Sequence, residues 1–192
     1  MARRIAFLLV VFLVCCLESC GLAFMRPPEP GETALTTPPS GKALVNFHRP
    51  SSYGGGADFK IFDRENLIGN VRGGCLFQYV CDPGEHVFVG TSQSTSVVRA
   101  DLDADRVYDI VVNVGMGFTR PSITFEPITR NHEKRSELGN WEARENLMIF
   151  VADEKSQNFQ ANRLDHTREA LSDFLDGEKR DRVLVLSRDD HR

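Results

Sequence analysis

The chain has 192 residues, room for one core of ordinary size with extensions and not for two large domains. Its 23 Lys and Arg residues are scattered among 27 Asp and Glu for a formal net charge of −4. No basic stripe exists to neutralise a phosphate backbone, so nucleic acid is not an expected partner.

The chain opens with Arg3 and Arg4 ahead of an unbroken apolar run, Ile5 to Leu17. That run has the length of a secretory h-region and falls short of the ~20 residues of a membrane span, so residues 1–19 read as a signal peptide. Leu17-Glu18-Ser19-Cys20-Gly21 resembles the bacterial lipobox, with an apolar residue three before, and a small one directly before, the cysteine that receives lipid. Cys20 is therefore the predicted lipidation (palmitate) site. Glu18 stands where small uncharged residues are favoured, and the alternative is ordinary signal cleavage at Ala23, which leaves a soluble product.

Residues 20–42 read as a Pro-rich tether, since MRPPEPGETALTTPPSGK contains five prolines and little that could be buried. At ~3.1 Å per residue it could hold a domain roughly 50 Å from a bilayer. Beyond it the hydrophobic period becomes two. Short β-branched and aromatic runs at 43–48, 58–62, 66–71, 75–80, 85–90, 95–102, 106–114 and 123–128 alternate with turn residues. In Asp82-Pro83-Gly84, proline presets φ and glycine permits positive φ, the chemistry of a type II turn. The runs between 58 and 90 are joined so closely that they read as a four-strand meander. The predicted fold is mainly β: an antiparallel β-sandwich of about seven to eight strands over residues 43–128.

Residues 129–192 form a C-terminal extension. A charged loop, NHEKRSELGNWEARE, precedes the apolar run at 147–152. Asp153 then opens an amphipathic helix with Leu164, Leu171 and Leu175 on one face and Gly177 past its end. The VLVL that follows reads as a short strand or frayed tail.

The order of ALVNFHRP, a Gly/Ser loop, DFKIF, LIGNVRGG, an aromatic strand, PGEH and VYDIVV resembles a bacterial envelope lipoprotein family, the domain-of-unknown-function family numbered 2846. The resemblance covers Ala43 to Val114 and rests on His48-Arg49-Pro50, Pro83-Gly84-Glu85-His86 and Tyr108. It implies a transthyretin-like or PEGA-like sandwich behind a lipoprotein signal, and no activity or ligand. Cys75 and Val107 depart from the family's habit of aromatic residues there.

No motif adds a reaction to this picture. Gly54-Gly55-Gly56 lacks the Lys-Ser/Thr pair and following helix of a phosphate loop and reads as a connector. Asp101, Asp103 and Asp105 alternate like a calcium loop but lack its Gly and Glu, and read as a solvated hairpin turn. The histidines His48, His86, His132, His166 and His191 show no zinc spacing, although His48 and His86 could be sheet neighbours. Glu142 and Glu145 read as an exposed helix face. Trp141 and the strand aromatics could line a carbohydrate platform, but their alternation fits a sandwich core more simply. Cys75 and Cys81 lie on one strand, roughly 20 Å apart at ~3.3 Å per residue, too far for a bridge, and read as inert buried thiols.

The expectation is a non-enzymatic protein of the bacterial cell envelope without cofactor, metal or catalytic residue. It is anchored to the outer membrane by lipid on Cys20, faces the periplasm, and presents its sandwich to an envelope protein partner. The alternative is a soluble periplasmic ligand-binding protein or enzyme with a pocket between sandwich and helix.

Overall fold

A computed structural model describes residues 24–54, 56–92, 94–116 and 121–192. Cys20 and the signal segment lie outside the described residues. Eleven strands are present among them: β1 (Met25–Arg26), β2 (Ala43–Arg49), β3 (Phe59–Asp63), β4 (Asn66–Val71), β5 (Cys75–Cys81), β6 (Gly84–Thr91), β7 (Thr95–Leu102), β8 (Val107–Met116), β9 (Pro121–Pro127), β10 (Asn146–Phe150) and β11 (Leu184–Leu186). Two α-helices, α1 (Leu138–Glu142) and α2 (Glu154–Leu175), complete the extension.

The strands form two sheets, β1-β10-β5-β2-β8-β9 and β11-β7-β6-β3-β4, packed as a sandwich. All eight predicted runs are strands. The sheets are mixed, however, because β2–β8, β5–β10 and β7–β11 pair in parallel. Each parallel pair joins segments far apart in the chain, and hydrophobic alternation reports which face a residue takes without naming its neighbour. The expected meander is broken for the same reason. β3 and β4 form a hairpin, β5 crosses to the other sheet, and β6 returns to pair with β3. Gly84, at φ 122°, takes the predicted positive-φ position as the chain changes sheets.

Alternate residues of both sheets meet in one core. Phe47 is at its centre, stacked on Phe77 at 5.6 Å and edge-on to Phe88 at 5.3 Å. Phe59, Ile61, Ile110, Val112, Ile123 and Phe125 surround this group, all fully or nearly fully buried. Burial of such side chains contributes about 1.5–3 kcal/mol each. The strand aromatics are thus core, except Phe62, which faces the opposite side of its sheet. Two glycines let the sheets close: a Cβ on Gly69 would lie 2.7 Å from the Phe77 ring, and one on Gly90 would lie 2.7 Å from Phe125 and Ile123. Cys75 and Cys81 are free, buried and at the two ends of the same strand.

Both outer faces of the sandwich are covered by the extension. Asp153 caps α2, its carboxylate accepting from Ser156 N at 2.8 Å, and Gly177 N donates to Ser172 O past the other end. The helix buries Thr167, Ala170 and Phe174, with Leu171 and Leu175 alongside, against Phe62, Val87, Val89 and Val97 of the five-stranded sheet. On the other sheet, α1 lays Leu138 and Trp141 on Val111 and Ile128.

The predicted tether is partly docked. Phe24 is buried against Phe159 of α2, with ring centroids 5.1 Å apart, and Met25–Arg26 pairs with Phe150 and Ile149. Further along, Leu35 exchanges two hydrogen bonds with Gln78 of β5. Prolines make the segment stiff, but they do not keep its apolar entry off the body.

Candidate functional site

A concentration of buried polar side chains lies on the outer face of the six-stranded sheet. Alternation points Asn46 and His48 of β2, Asp109 of β8 and Gln78 of β5 to that face. The register places Asn46 directly opposite both Gln78 and Asp109. A row of hydrogen bonds follows: Gln78 Nε2 donates to Asn46 Oδ1 at 2.9 Å, and Asn46 Nδ2 to Asp109 Oδ1 at 3.0 Å.

His48, fully buried, lies between two carboxylates, with Nε2 3.0 Å from Asp109 and Nδ1 2.7 Å from Glu145. Arg192, from the segment after β11, forms a fork on Asp109 and also reaches Glu142 at 2.7 Å. Trp141 covers the imidazole at 5.9 Å. Burial alone would lower the pKa of His48, but the bonds to Asp109 and Glu145 outweigh it and raise it to about 9. Burial likewise opposes ionisation of Asp109, yet Arg192 and His48 hold it down at about 2. The second oxygen of Glu145 is buried without a hydrogen-bond partner among the described residues.

This geometry limits the chemistry. Both ring nitrogens of His48 face carboxylates, so the ring is a double donor with no lone pair for a substrate. His48, Asp109 and Glu142 offer ligand atoms within 4.8 Å of one another. A divalent ion there would need His48 deprotonated and Arg192 displaced, because the positive charge between Asp109 and Glu142 already comes from the guanidinium. The cluster is a clamp that ties β2, β8, the loop after α1 and the segment after β11 together. The reading of Glu142 and Glu145 as an exposed face is corrected: the Glu145 side chain is 1 % exposed and Glu142 is paired. Their partners are about 50 to 100 residues away, so no local pattern marks them.

His86 is not a neighbour of His48, since the two lie in different sheets. Its Nδ1 is 2.6 Å from Asp63 and its Nε2 2.8 Å from the Asp82 carbonyl, while the Tyr79 hydroxyl donates to Asp63 at 3.2 Å. Asp63 foremost, and the Cys81 thiol after it, raise the His86 pKa to about 10 against the effect of burial. Burial pushes the Cys75 thiol up, away from the reactive range. With both nitrogens engaged, His86 also works as a strut, here between the two sheets.

The glycine run has a structural owner. Arg49 is fully buried on the inner side of β2, and its guanidinium donates to the carbonyls of Ala57 (2.7 Å), Gly54 (2.9 Å), Tyr53 and Val71. The loop after Pro50 folds around this group, which also lies 4.9 Å from the Phe59 ring centre. The Asp101–Asp105 stretch is a crossing between sheets and not a hairpin. Asp101 and Asp103 face Arg188, and Asp105 accepts from Gly41 N at 2.8 Å.

Two cavities lie where α2 or its end meets the sandwich. One, of about 460 Å³, is lined by His86, Arg99, Leu175 and Leu186. The other, of about 380 Å³, opens between β3, the end of β6 and the middle of α2. Comparison of the chain with protein-family models, with curated proteins and with solved structures found no match.

Proposed function

We propose that the protein is a lipid-anchored component of the bacterial cell envelope, attached through Cys20, whose sandwich serves a structural or protein-binding role facing the periplasm. The observation that carries this reading is the apolar leader followed by a lipobox-like Leu17-Glu18-Ser19-Cys20 only four residues before Phe24, where the chain is buried against the body. Four residues reach at most about 14 Å. A lipid on Cys20 thus holds the sandwich close to the bilayer, and the prolines after Arg26 do not lengthen that reach. The buried histidines support a role without catalysis, because their nitrogens are spent on the fold.

Labelled palmitate tests the anchor. It enters the wild-type chain, and Cys20→Ala abolishes both incorporation and membrane retention; a wild-type product that is soluble and begins at Phe24 refutes the reading.

The cavities beside α2 favour a second reading, a soluble periplasmic protein that binds a small ligand or acts on it. Their size falls within the range of ligand sites. Recovery of the unlabelled, soluble product together with a bound small molecule would establish it.

A further inference from the structure

We infer that the 380 Å³ cavity beside α2 binds the phosphate headgroup of an anionic membrane phospholipid. The inference rests on the anchored reading for the source of its ligand. The site itself is argued from its side chains.

The cavity has apolar walls and a cationic rim. Phe62 of the sandwich and Phe159 of α2 line it, with Lys60, Arg163 and His166 converging from two elements. Thr91, Ser92 and Thr167 also line it; Thr167 donates its hydroxyl to Arg163 O at 3.0 Å and Ser92 donates to Ser94 O at 3.3 Å, which leaves Thr91 as the lining hydroxyl that can donate to a ligand. The one acidic residue in the lining, Asp58, is paired with Lys60 at 2.6 Å and held by Asn70 at 2.5 Å, so Lys60 and Asp58 offset each other and Arg163 supplies the lining's net positive charge. Among the described residues, Arg163 has no carboxylate partner; its guanidinium lies 5.8 Å from the Phe159 ring centre. An exposed arginine oriented by an aromatic face is suited to a phosphate oxygen, and Phe62 and Phe159 suit the glycerol and first methylenes behind it.

Position selects a membrane lipid over a free anion. The Phe159 ring that walls the cavity is the one on which Phe24 packs, and Lys60 Nζ lies over both rings, at 5.4 and 5.7 Å. Lys155 Nζ adds a further charge 5.7 Å from the Phe24 ring. The cationic rim is thus continuous with the point where the chain leaves towards Cys20, four residues away. An anchored lipid there keeps the rim within about one Debye length of the headgroup layer, where basic side chains are attracted to anionic lipid.

The test uses the full chain extracted in uncharged detergent and native mass spectrometry with three probes: dioctanoyl phosphatidylglycerol, dioctanoyl phosphatidylcholine and inorganic phosphate. One phosphatidylglycerol binds per chain, Arg163→Gln weakens it about tenfold, and phosphatidylcholine does not compete. Equal binding of the two lipids, or wild-type affinity in Arg163→Gln, overturns the site. Inorganic phosphate binding as tightly as the lipid overturns the membrane source. Should Arg163→Gln lose its far-UV circular dichroism, His166→Gln, also exposed on α2, takes its place with the same expected direction. Palmitate content is scored in the same preparation. An unlabelled chain with Arg163-dependent lipid binding refutes the anchor alone, and a labelled chain without that dependence refutes the cavity alone.

Discussion

Replacing His48 with glutamine tests the clamp directly. In the wild type the imidazolium is raised from its ordinary 6.5 to about 9. At about 1.4 kcal/mol per tenfold change in proton affinity, that corresponds to about 3 kcal/mol of folding stability. A raised pKa means this contribution is complete below pH 6.5 and is lost as pH rises through 9. Asp109 behaves in the opposite sense: lowered from 3.8 to about 2, its contribution is present above pH 3.8 and constant through the alkaline window. His48→Gln leaves Asp109 and Glu145 buried without the ring's positive charge, at a cost of about 3–5 kcal/mol near pH 6. By pH 10 the wild-type ring has also lost its proton, so the gap between wild type and variant narrows by about 3 kcal/mol. His86 titrates in an overlapping range, near 10, but it is present in both proteins and belongs to the other sheet, so it cancels in the difference. Urea unfolding at pH 6 and pH 10 provides the assay. It is followed by circular dichroism and by the fluorescence of Trp141, the chain's one tryptophan, 5.9 Å from the imidazole. A gap that stays the same at both pH values refutes an imidazolium at position 48.

Two further substitutions probe the frame around the clamp. Arg49→Met removes the donor to three loop carbonyls and to the Val71 carbonyl of β4; it destabilises the protein by about 2–4 kcal/mol and accelerates proteolysis within residues 50–58, read by limited digestion and mass spectrometry. Arg49→Lys does not restore the loop, because one ammonium cannot span the fork that the guanidinium fills. Gly69→Ala drives a methyl to 2.7 Å from the Phe77 ring, which Phe47 stacks against and keeps from shifting; the urea midpoint falls by the equivalent of about 1–3 kcal/mol.

Much of the frame was legible because it is local. The eight alternating runs, the Asp153 cap and the Gly177 stop each depend on residues within a turn or a strand of one another, so period and capping chemistry reveal them. The helix face was legible only in part. Leu171 and Leu175 pack as their spacing implies, but the buried positions are Thr167, Ala170 and Phe174, since the sheet beneath the helix sets which side is covered. His48 could be recognised as a strand histidine, whereas its two carboxylates could not, being 61 and 97 residues away.

The amino-acid sequence by itself determined the apolar leader with Cys20 and the strand segments, because these follow from composition and a period of two. Tertiary structure alone decided the parallel pairings, the docking of Phe24 and the joining of His48, Asp109, Glu145 and Arg192. Those contacts close loops of tens of residues, and their partners are chosen by the packing of whole sheets, which no short window of sequence contains.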